Sequence, residues 1–209
     1  MATGSTYRRL GVPGEEELIG AGVHFCATCD GPFYRGADEI LLIGGGNSGL
    51  EEGLFLAQFA ERIRVVQSRP ELTASRLLQD KVRAHPRISI HTNTEIIALH
   101  GSGRLESVTA RDRVSGEEFR WQPAAAFVFI GLDPNSGFVR GTVELDQWGF
   151  IATDDRLQTS LPAMFAAGDV RAGSTKQLGA AVGEGITALM MVREHLRRHA
   201  HIPRADVNA

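Results

Sequence analysis

The sequence predicts an α/β fold, a parallel β-α-β-α-β unit with an antiparallel β-meander laid over it. Three observations predict it. A short apolar strand runs straight into Gly44-Gly45-Gly46-Asn47-Ser48-Gly49, an amphipathic stretch follows the glycines, and apolar runs then return at the length and alternation of strands. With 209 residues, 43% of them hydrophobic and 22% charged, the chain can bury one large core or two smaller ones.

Glu39-Ile40-Leu41-Leu42-Ile43 is almost wholly apolar, as a parallel strand covered on both faces must be. Over residues 50–60, Leu50, Leu54, Leu56, Ala57 and Ala60 recur at helical spacing, while Glu51, Glu52 and Gln58 face away. Residues 63–66 return as a second strand. Residues 73–84 read as a helix that His85-Pro86 stops, and Ile88-Ser89-Ile90-His91 alternates as a third strand. Short strands at 95–99, 105–112 and 118–121, parted by Gly101-Ser102-Gly103 and Ser115-Gly116-Glu117, form the meander. A further buried strand at 124–130 ends at Gly131-Leu132-Asp133-Pro134-Asn135. Beyond it, a last short strand at 164–167 precedes a long helix at 176–198, with Ala181, Ile186, Met190 and Leu196 available for its buried face.

The formal net charge of -3 provides no broad basic field, which argues against a nucleic-acid partner although Arg193, Arg197, Arg198 and Arg204 make the last turns locally basic. No stretch approaches the roughly 18 uninterrupted apolar residues of a membrane span. Met1-Ala2-Thr3-Gly4-Ser5 is not a charged region leading into an apolar one, so the expected location is the cytoplasm. Only two cysteines occur, Cys26 and Cys29, which excludes a secreted disulfide framework.

Gly44-x-Gly46-x-x-Gly49, after a strand and before a helix, is the Rossmann-like dinucleotide fingerprint: its glycines allow a tight turn and a close backbone approach to a pyrophosphate at a helix N-terminus. Asn47 and Ser48 lie within that turn. The second strand leads to Gln67-Ser68-Arg69, without the carboxylate that accepts ribose hydroxyls of NAD. Arg69 and Arg76 can meet a 2′-phosphate, or be no more than solvated surface arginines.

Cys26-Ala27-Thr28-Cys29-Asp30 supplies two thiols at the spacing of a small exchangeable disulfide, with a carboxyl beside the second sulfur as proton donor. Half of a zinc site with His24, or inert buried thiols, are the alternatives; a structural zinc takes four protein ligands, and there is no second cysteine pair. Gly168-Asp169 closes a strand before a loop and a helix, where the carboxylate either reaches a flavin polyol or forms a turn.

In this order the segments resemble the low-molecular-weight thioredoxin reductases and the wider thioredoxin-reductase-like flavoproteins, over almost the whole chain. Ala2-Thr3-Gly4 is similar to the family's strand end next to FAD, Cys26 to Gly31 to its redox loop, and Gly44 to Gly49 to its NADPH fingerprint. Gly131 to Asn135 resembles the return to the FAD domain, and Phe165 to Asp169 followed by Lys176-Gln177 its final flavin-contacting segment. The family's His-Arg-Arg-x-x-x-Arg pattern becomes Gln67-Ser68-Arg69-Pro70-Glu71-Leu72-Thr73, which weakens the preference for NADPH and leaves NADH possible. The family also places an FAD-binding β-α-β unit before its Ala-Thr-Gly strand, whereas this sequence starts at that strand.

The resemblance implies a residual FAD-domain strand at 1–10, an NAD(P)H-binding domain with the redox pair at 11–132, and the C-terminal part of an FAD-binding domain at 133–209. It implies electron flow from NADPH through FAD to Cys26–Cys29 and on to thioredoxin or a thioredoxin-like protein disulfide. Cys29 then faces the flavin, Cys26 attacks the partner, Asp30 is the acid, and the complete protein is a homodimer. A rotation of the nucleotide domain would alternate nicotinamide and disulfide at the flavin. The rival expectations are a truncated or split NAD(P)H-binding subunit without FAD or turnover, and a redox-sensing regulator using the cysteines as a switch.

Overall fold

The computed structural model of the chain describes residues 1–199, so Arg204 and the end of the region expected at 133–209 lie outside the described residues. In chain order the elements are β1 (Ser5–Tyr7), α1 (Glu15–Leu18), β2 (Val23–His24), α2 (Ala27–Asp30), β3 (Ala37–Ile43), α3 (Asn47–Leu56), β4 (Ala60–Val66), α4 (Arg76–Ala84) and β5 (Ile88–His91). Then come β6 (Thr94–His100), β7 (Ser107–Asp112), β8 (Glu118–Trp121), β9 (Ala125–Val128), β10 (Leu132–Pro134) and α5 (Leu178–His199). They fall into two compact units, Tyr7–Gly131 and Met1–Thr6 together with the described residues from Leu132 onward.

In the unit Tyr7–Gly131, a parallel sheet of order β2-β9-β3-β4-β5 carries helices on one face and the antiparallel β6-β7-β8 meander on the other. Why β3 is apolar at every position from Ile40 to Ile43 follows from its pleat. Ile40 and Leu42 pack with Leu50 and Leu56 of α3 and Val82 of α4, while Leu41 and Ile43 pack with Ile96, Leu99 and Val108 of the meander.

Local hydrogen bonds move several expected boundaries. α3 runs Asn47–Leu56 instead of 50–60, because it begins directly on the glycine turn and the Gln58 and Phe59 N–H groups close it in tight turns on Phe55 and Leu56. α4 starts at Arg76 instead of 73, since the Thr73 and Ala74 N–H groups donate to the Gly45 carbonyl at 2.9 and 3.1 Å. β7 starts at Ser107 instead of 105 because Leu105 N–H donates to Ala21. β9 is confined to Ala125–Val128.

In the other unit, β1 pairs with β10, and Val139, Val143, Ile151, Ala166 and Val170 form a small core. The strand expected at 164–167 is not formed. Successive donors diverge there, Ala166 N–H to Leu157 and Ala167 N–H to Met1, so only a single bridge, Gln158 to Phe165, precedes a 3-10 turn at Gly168–Val170. No residue of α5, all of which is described, is buried. The expected buried face is therefore corrected: Ala181 is half-buried, and Ile186, Met190 and Leu196 are 61%, 49% and 53% exposed. Among the described residues no helix is long and apolar enough to cross a membrane.

Candidate functional site

The glycine turn links β3 to α3, and its glycines answer to different constraints. Gly44 has φ +125 and would drive a Cβ into the Phe129 carbonyl, so the fold itself demands it. Gly46 has an ordinary φ of -85, and a Cβ there would meet only Thr73 Oγ1, at 3.6 Å. Protein packing does not exclude a side chain at Gly46. The space beside it lies at the start of α3, whose first N–H groups lack intrahelical acceptors, and a pyrophosphate fits such a cradle.

Around this turn the other candidates separate. Asn47 Oδ1 accepts the Ser75 N–H at 2.7 Å, so Asn47 braces the start of α4, while Ser48 is exposed on the first turn of α3. Gln67, directly after β4, is buried against Gly45 and its Nε2 donates to the Glu71 carbonyl at 3.4 Å. Arg69 is exposed, and Arg76 turns along α4 to Asp80, with 3.5 Å between Nε and Oδ1. Arg113, which has no sequence signal, brings another guanidinium to this corner by donating from Nη1 to the Ser68 carbonyl at 3.1 Å. Its Nε also lies 3.4 Å from Glu95 Oε2.

The same unit holds the cysteines. Cys26 and Cys29 form a disulfide with their Cα atoms 5.3 Å apart, and the Cys29 N–H donates to Cys26 Sγ at 3.1 Å. Cys26 is half-buried and Cys29 exposed, which rules out inert buried thiols. Near them in the chain is a group that the sequence did not reveal as such. His24 is buried against the Phe127 ring, its Nε2 lies 2.6 Å from the Tyr34 hydroxyl, and its Nδ1 lies 3.5 Å from Asp30 Oδ2. Both ring nitrogens thus face Tyr34 and Asp30, not the sulfurs. Burial holds the His24 pKa below the usual imidazole value against the opposing pull of Asp30. Burial first and Asp30 second raise the Tyr34 pKa.

In the other unit, Thr3 and Gly4 are tied to Asn135: Thr3 Oγ1 donates to its carbonyl at 2.7 Å, its Nδ2 donates to the Thr3 carbonyl at 2.8 Å, and its N–H donates to the Gly4 carbonyl at 3.0 Å. Gly168 N–H donates to Glu184 Oε2 at 2.7 Å. Lys176, at φ +57, donates from Nζ to the Arg171 carbonyl at 2.8 Å and lies over the Phe150 ring; burial lowers its pKa. The exposed Gln177 accepts the Ala181 N–H at the start of α5. Asp169 Oδ1 is buried without a hydrogen-bond partner among the described residues. A buried carboxylate oxygen left unpaired is costly, and a polyol hydroxyl such as that of a flavin would satisfy it. Residues 1–6 and 132–209 contain no second Gly-x-Gly-x-x-Gly turn.

Known proteins place this pairing of glycine turn and disulfide. Residues 1–185 match the family described as pyridine nucleotide-disulphide oxidoreductase. The chain belongs to that family. It is 44% identical over 189 residues to a thioredoxin reductase of Mycolicibacterium smegmatis, covering 90% of this chain and 60% of the relative. Among solved structures it resembles the thioredoxin reductase of Streptococcus pyogenes, with 36% identity, a TM-score of 0.88, and coverage of 94% of this chain and 64% of the other. Thioredoxin reductase from Giardia duodenalis gives the same TM-score, 0.88, at 32% identity, with coverage of 94% of this chain and 64% of the other. The chain is thioredoxin-reductase-like, and it spans less than two thirds of the length of these relatives.

Proposed function

We propose that this chain carries the nucleotide-binding and disulfide-exchanging part of an NAD(P)H- and FAD-dependent reductase of thioredoxin-reductase type. The observation that supports the reading best is the open cradle at Gly46 in the same unit as the partly exposed Cys26–Cys29 disulfide. The Gly44–Gly49 turn and the start of α3 hold the pyrophosphate; Arg69, with Arg113 beside it, favours a 2′-phosphate, hence NADPH over NADH. FAD, when bound, supplies the two-electron transfer between nicotinamide and disulfide. Asp169, with Gly168, Lys176, Gln177, Thr3 and Gly4, contributes this chain's share of that flavin site.

Reduction leaves two thiols. The Cys26 thiolate attacks one sulfur of the acceptor disulfide, forming a mixed disulfide and expelling a thiolate that takes up a proton. Cys29 then attacks Cys26 Sγ, restoring the Cys26–Cys29 bond and releasing the second acceptor sulfur. Asp30, adjacent to Cys29, is the proton donor and acceptor for these thiolates. The acceptor is thioredoxin or a thioredoxin-like protein disulfide, and the complete protein acts as a cytoplasmic homodimer.

A second reading, a nucleotide-binding subunit without turnover of its own, draws support from the unburied apolar residues of α5. One experiment separates the two. The 209-residue chain is incubated with excess FAD, desalted, and followed for flavin absorbance, NADPH binding and NADPH-dependent reduction of a disulfide acceptor. Yellow, active protein makes the chain a reductase by itself; colourless protein that binds NADPH makes it a subunit whose activity needs further sequence. Failure to bind NADPH under any condition sinks both.

A further inference from the structure

The buried His24 has no part in the exchange chemistry just described, yet it faces Asp30, the acid of that chemistry. The ring packs on Phe127 of β9, and every group that faces its nitrogens is polar: Asp30 from α2 and Tyr34 from the turn that follows. An ionised Asp30 only accepts, so the nitrogen that faces it, Nδ1, must carry the proton. In a neutral imidazole Nε2 is then the acceptor, and the Tyr34 hydroxyl donates to it at 2.6 Å. Asp30 thus selects the tautomer and the Tyr34 hydroxyl completes it, in the order Tyr34 O–H to His24 Nε2 and His24 Nδ1–H toward Asp30.

We infer that His24 is a positioning residue for Asp30, holding the carboxyl beside Cys29 in the orientation from which it exchanges a proton with the thiolates. The inference rests on the disulfide-exchange reading but needs neither flavin nor nicotinamide. An Nδ1–H dipole orients the carboxyl without placing the full charge of an imidazolium beside it. Burial, which lowers the basicity of the ring against the pull of Asp30, favours that neutral form. Tyr34 acts one step further out, by donating to Nε2 when the proton is on Nδ1.

The test uses reduction of the Cys26–Cys29 bond by dithiothreitol in the 209-residue chain. One reductant thiolate attacks Cys26 Sγ, the Cys29 thiolate leaves and takes up a proton, and the second reductant thiol closes its own disulfide and frees Cys26. Rates are corrected for the reductant's thiolate fraction and followed from about pH 5 to about pH 9. His24→Leu, which fills the site without a donor, should slow reduction about tenfold and bring the pH profile toward that of Asp30→Asn. His24→Asn, whose amide nitrogen takes the place of Nδ1, should recover the rate to within about threefold. Tyr34→Phe should have an intermediate effect, and nitrogen-15 spectra of the ring should show the Nδ1–H tautomer in the parent chain. A folded His24→Leu chain with the parent rate and pH profile, Asn no better than Leu, or an Nε2–H tautomer would each overturn the inference. If His24 behaves as expected but no NADPH is consumed when the chain is supplied with FAD and a disulfide acceptor, the positioning role stands and the reading of this chain as a reductase by itself falls.

Discussion

The two units of this chain use apolar residues in opposite ways. In Tyr7–Gly131 both faces of the parallel sheet are covered, and Ile40, Leu41 and Leu42 on consecutive positions of β3 are fully buried. In the other unit the 22-residue α5 repeats apolar residues at helical spacing and buries none of them. Periodicity in a sequence records which side a segment would hide, and whether anything hides it depends on where the partner lies along the chain. In the sheet unit the partner of each strand is the next helix or the returning strand, so pattern and packing coincide. α5 is instead held by polar contacts, with Glu184 gripping Arg171 and the Gly168 N–H.

The largest effect expected from this contrast is in the sheet. Phe127 is fully buried and touches the rings of His24, Tyr34 and Phe129, so Phe127→Ala should destabilise the unit by about 3–5 kcal/mol, read from denaturant unfolding. A loss below about 1 kcal/mol would mean that the core closes over the gap, and the contrast with α5 would weaken. Gly46→Val comes next and separates binding from folding. Because a Cβ at Gly46 meets so little of the protein, stability should change by less than about 1 kcal/mol while NADPH affinity falls by about 100-fold or more. Unchanged affinity in calorimetry would remove the cradle assignment.

How far the sequence could be read follows the same division. β3, α3, β4, α4, β5 and the meander are legible because each has its period and its stop within a few residues, and the glycine fingerprint and the cysteine pair are legible because spacing alone carries their chemistry. Boundaries slipped where one hydrogen bond decided them, as at Thr73 and Ala74, whose N–H groups go to Gly45. β2 escaped because two residues, Val23 and His24, cannot show a period, although they form an edge of the sheet beside β9. The Tyr34-His24-Asp30 chain escaped for a different reason: His24 beside a Cys-x-x-Cys suggests a metal, and only the fold turns both ring nitrogens elsewhere. Residues 164–167 have strand composition, but their donors are taken by different segments.

Polar anchoring of α5 makes a prediction of medium size. The hydrogen bonds from Arg171, first among the causes, hold the Glu184 carboxyl below its ordinary range. A depressed folded pKa contributes stability that is fully present above the ordinary value of 4.5 and is lost as pH falls through the lowered value. Glu184→Gln should therefore loosen α5 by about 1–2 kcal/mol in amide exchange near neutral pH, with parent and variant converging in acid. Equal protection at neutral pH would mean that something other than this pair anchors the helix. Arg69→Ala is expected to be milder. If its exposed guanidinium meets the 2′-phosphate, NADPH affinity should fall by about tenfold and NADH affinity hardly at all, and an equal loss for both would move the selectivity to Arg113 or elsewhere.

The smallest expected effect is the most direct test of the contrast. Ile186 sits mid-helix on α5 at 61% exposure, whereas Leu42, near the end of β3, is at 0%. Truncating a buried leucine removes its transfer energy and leaves a cavity, so Leu42→Ala should cost about 2–5 kcal/mol. Truncating an isoleucine already in water removes little, and alanine is the better helix former, so Ile186→Ala should change stability by no more than about 0.5 kcal/mol in either direction. Both are measured by denaturant unfolding of the 209-residue chain at several protein concentrations. A loss of about 2 kcal/mol at Ile186 that grows with concentration would show that α5 covers its apolar side by self-association. The same loss independent of concentration would place Ile186 against a partner within the chain, and the distinction between the two units would have to be abandoned.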